Sequence, residues 1–354
     1  MKRLAKFVAS LALAGLLLFA LLRHFNASET MASVRQAHPG LLMLGFTLMV
    51  AAYLLRGARW QIWERSLGYW DSLRLILIGF MGNNILPGRL GEILRAHCAA
   101  AQTEGDRGRT AFLASIAAER ILDGLILSVF GLTAIGLVHV DRRLEGVLIL
   151  VSCAFAGLTS GLVLGTRHHH AVRSVISTAS RWLPRRVTAF AQEKAAQFLD
   201  GFLPLGTLPR MVGALAATFV IWGIEVASYY CFGLAVWGDM SVRTALLSLV
   251  VVNFASLIPL TMGGIGTIDA AGPLFLISSG VTPHIALAMV LLQHAAQYLF
   301  TTISGGIVYL AGGFHRLPLA RPKTAAHRRP VPATGLSGVE QTHSSVGQIS
   351  PSVE

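Results

Sequence analysis

Residues 83–92 read NNILPGRLGE, a polar stretch that ends the apolar run 73–86. Proline has no backbone N–H and glycine tolerates turned backbone, so a helix is expected to break at Pro87 and Gly88. A second stretch, residues 253–269, reads NFASLIPLTMGGIGTID and repeats the order Asn, apolar residues, Pro, Gly, Gly and an acid. The two stretches predict a pair of helical hairpins, each broken at its tip.

The composition around these stretches is typical of an integral membrane protein. The 354 residues have a mean hydropathy of +0.62, with 54% hydrophobic and 13% charged residues. Ordinary soluble domains are less apolar and more charged. Lys and Arg number 29 against 17 Asp and Glu, but they fall in short clusters between apolar runs. This pattern indicates membrane topology rather than a nucleic-acid partner.

Six apolar runs are long enough to cross a bilayer core of about 30 Å as helices. They are residues 5–22, 110–138, 147–164, 211–237 and 284–314, together with 41–55, whose helix is long enough if it runs on through Trp60. The runs 73–86 and 244–258 are shorter and end in Asn, Pro and Gly. They are predicted to belong to two hairpins, 73–101 and 244–280, which enter the membrane from opposite faces and turn back.

The positions of the basic residues support this topology, because Lys and Arg are enriched in short cytoplasmic loops. With both hairpins re-entrant, most basic residues, including those of the long loop 165–210, lie on the cytoplasmic side, and Arg89 and Arg120 lie within the membrane. If 73–86 were a full span, the later loops would invert and this basic loop would face outward. The sequence therefore predicts an all-α polytopic bundle in a bacterial cytoplasmic membrane, with six spans, two inverted re-entrant hairpins and both termini in the cytoplasm.

The chain divides into a membrane domain, residues 1–315, and a tail, residues 316–354. Within the membrane domain, residues 167–209 form an amphipathic cytoplasmic segment, whose basic and aromatic residues suit an anionic leaflet. The tail is rich in Pro, Ser, Thr, Gly and Arg. Such a composition cannot bury a core, so the tail is predicted to be disordered and cytoplasmic.

Paired broken helices of inverted orientation build substrate sites near the bilayer midplane. Broken backbone within lipid is tolerated only where protein covers it or where it lines a polar cavity. The candidate substrate-binding residues lie in the two breaks and in the ionisable cluster of the run 110–138: Asn83, Asn84, Pro87, Arg89, Glu92, Arg95, Glu119, Arg120, Asp123, Asn253, Pro259, Gly263, Gly264, Gly266 and Asp269. The alternative is that the breaks are plain turns between spans.

Arg89 and Arg120 are the candidate ligands of an anionic headgroup. The acids Glu92, Glu119, Asp123 and Asp269 are expected to complete a buried network with them or to carry a proton. The alternative is a structural network of salt bridges that only holds the first hairpin in place. The same choice between ligand and interhelical tie applies to Glu225, Gln293, His294 and Gln297.

Arg56, Arg59 and Trp60 end the second predicted span, where basic and aromatic side chains commonly anchor a helix at the membrane interface. Anchoring is the favoured interpretation, and a substrate role for Arg59 is the alternative. The three consecutive histidines at 168–170 have no acid beside them, so no metal site is predicted. No phosphate-binding loop, dinucleotide fingerprint or hydrolase motif occurs, and no cofactor is expected.

Four motifs stand out along the apolar chain: RGARW (56–60), NNILPGRLGEILRA (83–96), ERILDG (119–124) and LIPLTMGGIGTIDAA (257–271). Together they resemble the flippase-like transmembrane domain of lysylphosphatidylglycerol synthases, over about residues 5–315. The resemblance implies a domain that translocates or handles lipids. Many relatives have Glu where this chain has Asp269, and the tail is too short for the aminoacyl-tRNA-using domain of the synthases, so lysyl transfer is not expected.

The sequence thus predicts a protein that is not an enzyme and that moves or handles a lipid between leaflets. The lipid would be a phospholipid, a glycolipid or an isoprenoid or hopanoid type, with an anionic headgroup, and lipid-biosynthesis enzymes are candidate partners. Two alternatives stay open: a membrane-embedded transferase, and a non-catalytic partner in lipid or cell-envelope biosynthesis.

Overall fold

The computed structural model describes residues 12, 15–16, 26–103, 108–136, 142–179, 185–258 and 261–314. Regular secondary structure in these ranges is helical throughout, which confirms the predicted all-α fold. The helices are α1 (Ala27–Gln36), α2 (Pro39–Gln61), α3 (Tyr69–Ile85), α4 (Gly91–Gln102), α5 (Arg109–Ile135), α6 (Arg142–Arg167), α7 (His169–Ala179), α8 (Arg185–Phe202), α9 (Leu208–Val236), α10 (Val242–Ser256), α11 (Thr267–Ser278) and α12 (Pro283–Ala311).

Four of the described helices, α2, α6, α9 and α12, are long and apolar enough to cross a membrane. They coincide with four of the six predicted spans. Helix α5 coincides with the predicted span 110–138 and has 27 residues, but the ionisable residues in its middle set it apart from an ordinary apolar span. The predicted span 5–22, apart from three residues, and the tail 316–354 lie outside the described residues.

The first predicted hairpin is present as α3 and α4, which pack side by side. The chain turns at residues 86–90, where Gly88 and Arg89 adopt left-handed φ angles of 68° and 56°. Gly91 begins α4 and lies so close to α3 that an added Cβ would stand 2.1 Å from the carbonyl oxygen of Gly79. The absence of a side chain at Gly91 therefore lets α4 fold back onto α3.

The second hairpin is formed by α10 and α11, which also pack against each other. Between them, Gly263, Gly264 and Gly266 have φ angles of 61°, 77° and 85°, a region that other residues rarely adopt. Asp269 then starts α11 by accepting the N–H of Gly266 at 2.8 Å. Pro259, which was expected to mark this break, lies outside the described residues.

The two breaks lie against each other and against α12. A Cβ added to Gly263 would stand 3.3 Å from the Cα of Asn84 in the first hairpin and 2.5 Å from the ring of Tyr298 on α12. The amide of Asn84 donates to the hydroxyls of Thr301 and Thr302 at 2.9 and 2.8 Å. Helix α12 therefore holds the tips of both hairpins. Their insertion from opposite membrane faces remains a prediction.

Apolar packing surrounds the hairpins on two sides. One cluster centres on Trp60, Trp63 and Ile76 and encloses the first hairpin, and a second cluster encloses α10 and α11. The predicted amphipathic segment 167–209 contains α7 and α8. Helix α8 packs on α5 so closely that a Cβ at Gly201 would stand 2.4 Å from a backbone oxygen of that helix. Its position on an anionic leaflet remains a prediction.

Candidate functional site

A polar cavity lies between the two breaks and helices α2, α5, α9, α10 and α12. Its empty volume is about 940 Å³, open solvent at its mouth included. The predicted site residues on its wall are Asn83, Asn84, Arg89, Arg120, Asn253, Gly263 and Gly264. The wall also contains Glu225, Gln293, His294 and Gln297, which the sequence left undecided, and Tyr53, Arg56, Trp222 and Tyr229, which sequence reasoning did not assign to a site.

The other predicted site residues that the structure describes do not border the cavity. Glu92, Arg95, Glu119 and Asp123 lie behind Arg120 in a network of ion pairs. Pro87, Gly266 and Asp269 belong to the hairpin breaks and shape the backbone there.

Glu119 is the centre of the ion-pair network and is fully buried. Its Oε1 lies 3.0 Å from Arg59 Nη2 and 3.4 Å from Arg120 Nη2, and its Oε2 lies 3.0 Å from Arg95 Nη2. A single carboxylate thus contacts guanidinium groups from three helices, α2, α4 and α5. Buried charges are tolerated when they are paired and hydrogen-bonded in this way.

Asp123 extends the network toward α9. It forms an ion pair with Arg59, lies 3.5 Å from Arg120 Nη1 and accepts the indole N–H of Trp222 at 3.1 Å. Arg120 also lies 3.3 Å from Glu92. The predicted contacts among the ionisable residues of α4 and α5 are therefore present, and they tie the first hairpin to the centre of the bundle.

The interpretation of Arg56, Arg59 and Trp60 as interface anchors is wrong. Only 5%, 1% and 0% of these residues is exposed, so they lie inside the protein. Arg56 pairs with Glu225 of α9 at 2.8 Å, and Arg59 pairs with the two acids of α5. These partners are distant in the sequence, and a helix end with basic and aromatic residues has the same sequence pattern at a membrane interface as in a protein interior.

The buried pair Arg56–Glu225 supports a first prediction. Removing either partner leaves a buried charge, whereas replacing both by methionine removes both charges together. The loss of unfolding free energy in the double variant should therefore be about 2 kcal/mol smaller than the sum of the losses in the two single variants. A double-mutant cycle of unfolding free energies in detergent measures this term. A coupling near zero would show that the two side chains do not interact.

Arg89 differs from the other arginines of the cavity. It lies within ion-pair distance of no carboxylate among the described residues, and its Nη1 donates to the carbonyl of Ser256 at 3.2 Å. Its φ of 56° is rare for a residue with a side chain, and such backbone strain clusters at functional sites. Arg120, by contrast, is balanced by acids. The cavity wall thus contains a half-buried cation that can pair with an anion.

Asp269 has a different partner from the one predicted. Its Oδ1 lies 2.7 Å from Nδ1 of His294 on α12. Of the two roles expected for Asp269, contact with the network of Arg89 and Arg120 is not observed among the described residues, and the role of a proton carrier stays a prediction. The other ring nitrogen of His294, Nε2, lies 3.0 Å from the carbonyl oxygen of Gly263. The second break therefore has its own polar cluster, separate from the one behind the first break.

Several known proteins resemble this chain. The protein named glycosyltransferase AglD of Haloferax volcanii is 26% identical over 84% of this chain. The matched region covers 53% of that relative, so this chain spans about half of its length. A UPF0104 membrane protein of Methanocaldococcus jannaschii is 24% identical over 87% of the chain and 95% of its own length. A UPF0104 membrane protein of Pyrococcus horikoshii is 20% identical over 76% of the chain and 86% of its own length. No solved structure matches the chain at a significant level.

The family described as "Lysylphosphatidylglycerol synthase TM region" matches residues 7–305, which is most of the chain. This match agrees with the resemblance of the four motifs and with the stand-alone UPF0104 relatives. The protein is therefore a multi-pass membrane protein that belongs to the family of the lysylphosphatidylglycerol synthase transmembrane region.

Proposed function

We propose that this protein moves lipids with an anionic headgroup between the leaflets of a bacterial cytoplasmic membrane, and that it acts as a transporter rather than an enzyme. The observation that carries the proposal is Arg89, a cation on the cavity wall whose guanidinium lies beside a carbonyl and, in the part of the chain that the structure describes, within ion-pair distance of no carboxylate. A phosphate is the natural partner of an arginine in this setting.

The cavity offers further contacts to a headgroup. Arg120 lies on the same wall, and the side chains of Asn83, Asn253 and Gln297 supply amides that can bind phosphate oxygens or hydroxyls. The exposed outer faces of the apolar helices suit the lipid tails, which would remain outside the cavity. A charged headgroup would thereby cross the membrane without meeting hydrocarbon.

The broken hairpins supply a means of alternating access. In the proposed topology they enter from opposite faces with both chain termini in the cytoplasm, so their joined tips lie near the midplane. Because the two breaks form part of the cavity wall, a separation of the tips would open the cavity to one side. The membership of the chain in a membrane family linked by name to phospholipid synthesis supports a role in lipid or envelope biosynthesis.

Lipid exchange in vesicles tests the proposal. The purified chain is reconstituted with a trace of fluorescently labelled phosphatidylglycerol or phosphatidylcholine, and dithionite quenching measures the exchange of label between leaflets. We expect faster exchange of the anionic lipid, and a loss of at least about tenfold in Arg89→Gln, as for one lost charge-assisted contact.

Arg74→Gln is the matched control, because Arg74 is 56% exposed and forms only a surface pair with Asp71. This variant should exchange lipid at the wild-type rate. The proposal fails if no lipid is exchanged by the wild type, or if Arg89→Gln exchanges the anionic lipid as fast as the wild type does.

The alternative of a membrane-embedded transferase is favoured by one observation, the name of the Haloferax volcanii relative. Incubation of the same vesicles with sugar-nucleotide donors, followed by mass spectrometry of the lipids, distinguishes it. A lipid of increased mass would show that the protein transfers a sugar to the lipid, and the transferase would then take the place of the proposed transporter. A protein that only assembles synthesis enzymes would instead keep its cellular role after Arg89→Gln.

A further inference from the structure

His294 has hydrogen-bond partners at both ring nitrogens. Nδ1 lies 2.7 Å from Asp269 Oδ1, and Nε2 lies 3.0 Å from the carbonyl oxygen of Gly263. The side chains of His294 and Asp269 are 10% and 3% exposed. The ring borders the cavity, whereas its two partners belong to the second break and to α11. The imidazole therefore connects α12 to the second hairpin.

Both partners of this imidazole are acceptors. A carbonyl oxygen only accepts hydrogen bonds, and so does an ionised carboxylate. A neutral imidazole has one N–H and can satisfy one of the two. If both contacts are hydrogen bonds, the pair holds one proton more than a neutral histidine and an ionised aspartate provide.

The hydrogen bonds that Asp269 accepts favour His294 as the site of this proton. The second carboxylate oxygen, Oδ2, accepts the N–H of Gly266 at 2.8 Å. Asp269 also lies in the first turn of α11, where unpaired amides and the helix dipole favour a negative charge. With the proton on His294, the imidazolium would donate to Asp269 and to Gly263, and the pair as a whole would be neutral.

We propose that Asp269 and His294 form a proton-binding site that couples proton movement to the second hairpin. On release, the Nε2–H bond breaks, the proton passes to water in the cavity and the electron pair stays on Nε2. Two acceptors then face each other 3.0 Å apart, so the break at Gly263 loses its tie to α12. The inference rests on the proposed function, for which it supplies a proton gradient as the energy source.

Release of this tie affects the contact between the two hairpins. The ring of Tyr298 covers Gly263, and its hydroxyl donates to the carbonyl of Asn84 at 3.4 Å. Thr261, Gly263 and Gly264 of the second break also form part of the cavity wall. A movement of this break would therefore change the cavity and the contact between the hairpin tips together.

Other charged and titratable groups border the same cavity. They are Tyr53 and Arg56 of α2, Arg89 of the first break, Arg120 of α5, and Glu225 and Tyr229 of α9. Arg56 and Glu225 pair with each other, and Arg120 pairs with acids of α4 and α5. Helix α3 contributes uncharged asparagines to the wall. Two further titratable groups face His294 without bordering the cavity: Tyr298 of α12, whose ring centre lies 6.2 Å from that of His294, and Asp269 of α11. In α1, Glu29 pairs with His284, about 15 Å along α12 from His294.

Three variants separate a proton site from a structural tie. In Asp269→Asn, the amide can accept from Gly266 and donate to Nδ1, so a neutral His294 keeps its hydrogen bond to Gly263. His294→Gln keeps a donor but cannot titrate. His284→Gln is the matched control, because His284 lies on the same helix, pairs with Glu29 and does not border the cavity.

The first measurement detects the proton without requiring transport. The full chain is labelled with ¹⁵N-histidine, placed in bilayers and studied by solid-state NMR at about pH 7, where an unperturbed histidine is mostly neutral. We expect both ring nitrogens of His294 to be protonated in the wild type, the signal being assigned by its loss in His294→Gln. In Asp269→Asn one nitrogen should be protonated. A neutral His294 in the folded wild type would overturn the proton site.

The second measurement tests the coupling to lipid movement. Exchange of labelled phosphatidylglycerol is followed with and without a pH difference across the vesicle membrane. We expect the gradient to change the wild-type rate roughly tenfold, the population change that one buried hydrogen bond can produce. Asp269→Asn and His294→Gln should lose this response, and His284→Gln should keep it.

The outcomes distinguish the two proposals. Wild-type exchange that ignores the gradient would overturn the coupling and leave the proposed function intact. A wild type that exchanges no lipid would overturn the proposed function and the coupling with it, while the NMR result decides the proton site independently. Retention of the gradient response in Asp269→Asn would also overturn the coupling.

Discussion

Replacing Glu119 by glutamine is expected to lower the free energy of unfolding by about 3–5 kcal/mol, because it leaves buried guanidinium groups without a carboxylate. Arg59 would keep its ion pair with Asp123, whereas Arg95 has no other acid within ion-pair distance among the described residues. Arg95 is 2% exposed and stacks on the ring of Trp60 at 3.8 Å. It cannot reach water, so the stranded charge accounts for most of the loss.

Thermal unfolding in detergent, calibrated by chemical denaturation, measures this loss. Adding Arg95→Met to Glu119→Gln should restore more than half of the stability, because it removes the stranded charge. Glu193→Gln is the control, since Glu193 is 60% exposed and pairs only at the surface. If Glu119→Gln is as stable as Glu193→Gln, the network does not hold the bundle together.

Replacing Gly91 by alanine should open the first hairpin and cost about 3 kcal/mol, the upper range for overpacking a close contact. The added Cβ would stand 2.1 Å from the carbonyl oxygen of Gly79 and 2.3 Å from the backbone nitrogen of Asn83. Both atoms belong to the backbone of α3, so no side chain can move aside. Helix α4 must shift instead, and Arg95 shifts with it.

Gly223→Ala is the matched control for this substitution. Gly223 lies within α9, and a Cβ there would meet no atom within 4 Å. Alanine should stabilise that helix by up to about 1 kcal/mol, because glycine is the poorer helix former. The comparison uses the thermal midpoint of each variant in the same detergent. A wild-type midpoint for Gly91→Ala would contradict the close packing of α3 and α4.

The breaks in the two hairpins were predictable because their causes are local. Pro87 and Gly88 interrupt a helix whatever surrounds them, and the glycines at 263–266 do the same for the second hairpin. The grouping of Glu119 and Asp123 on one face of α5 also followed from helical spacing. What these features share is that each depends on neighbours within a few residues.

The buried pairs of α2 were not predictable in the same way. Arg56 and Glu225 are separated by 169 residues, and Arg59 and Asp123 by 64. A helix that ends in basic and aromatic residues is typical of a membrane interface. Only the tertiary packing shows that these arginines form ion pairs with acids inside the bundle. Propensity and charge rules that treat helices separately therefore gave the wrong location.

The pairing of Asp269 with His294 at the second break was not predicted, for a related reason. Asp269 and His294 are 25 residues apart on neighbouring helices. The sequence marks each of them as a polar residue within the membrane, but it does not show that they form a pair. Likewise, Arg89 and Arg120 looked equivalent as cations within the membrane. Their difference lies in the acids within ion-pair distance, which Arg120 has and Arg89 lacks among the described residues.

Trp222 gives the cavity an optical property. Its ring borders the cavity, its N–H donates to Asp123 at 3.1 Å, and the guanidinium of Arg56 lies 5.5 Å from the ring centre. Indole emission shifts with the polarity and hydrogen bonding around the ring. The chain has six tryptophans, so the part of the emission that Trp222→Phe removes should report the arrival of a headgroup in the cavity, and stopped-flow fluorescence of the two proteins would follow it without a label.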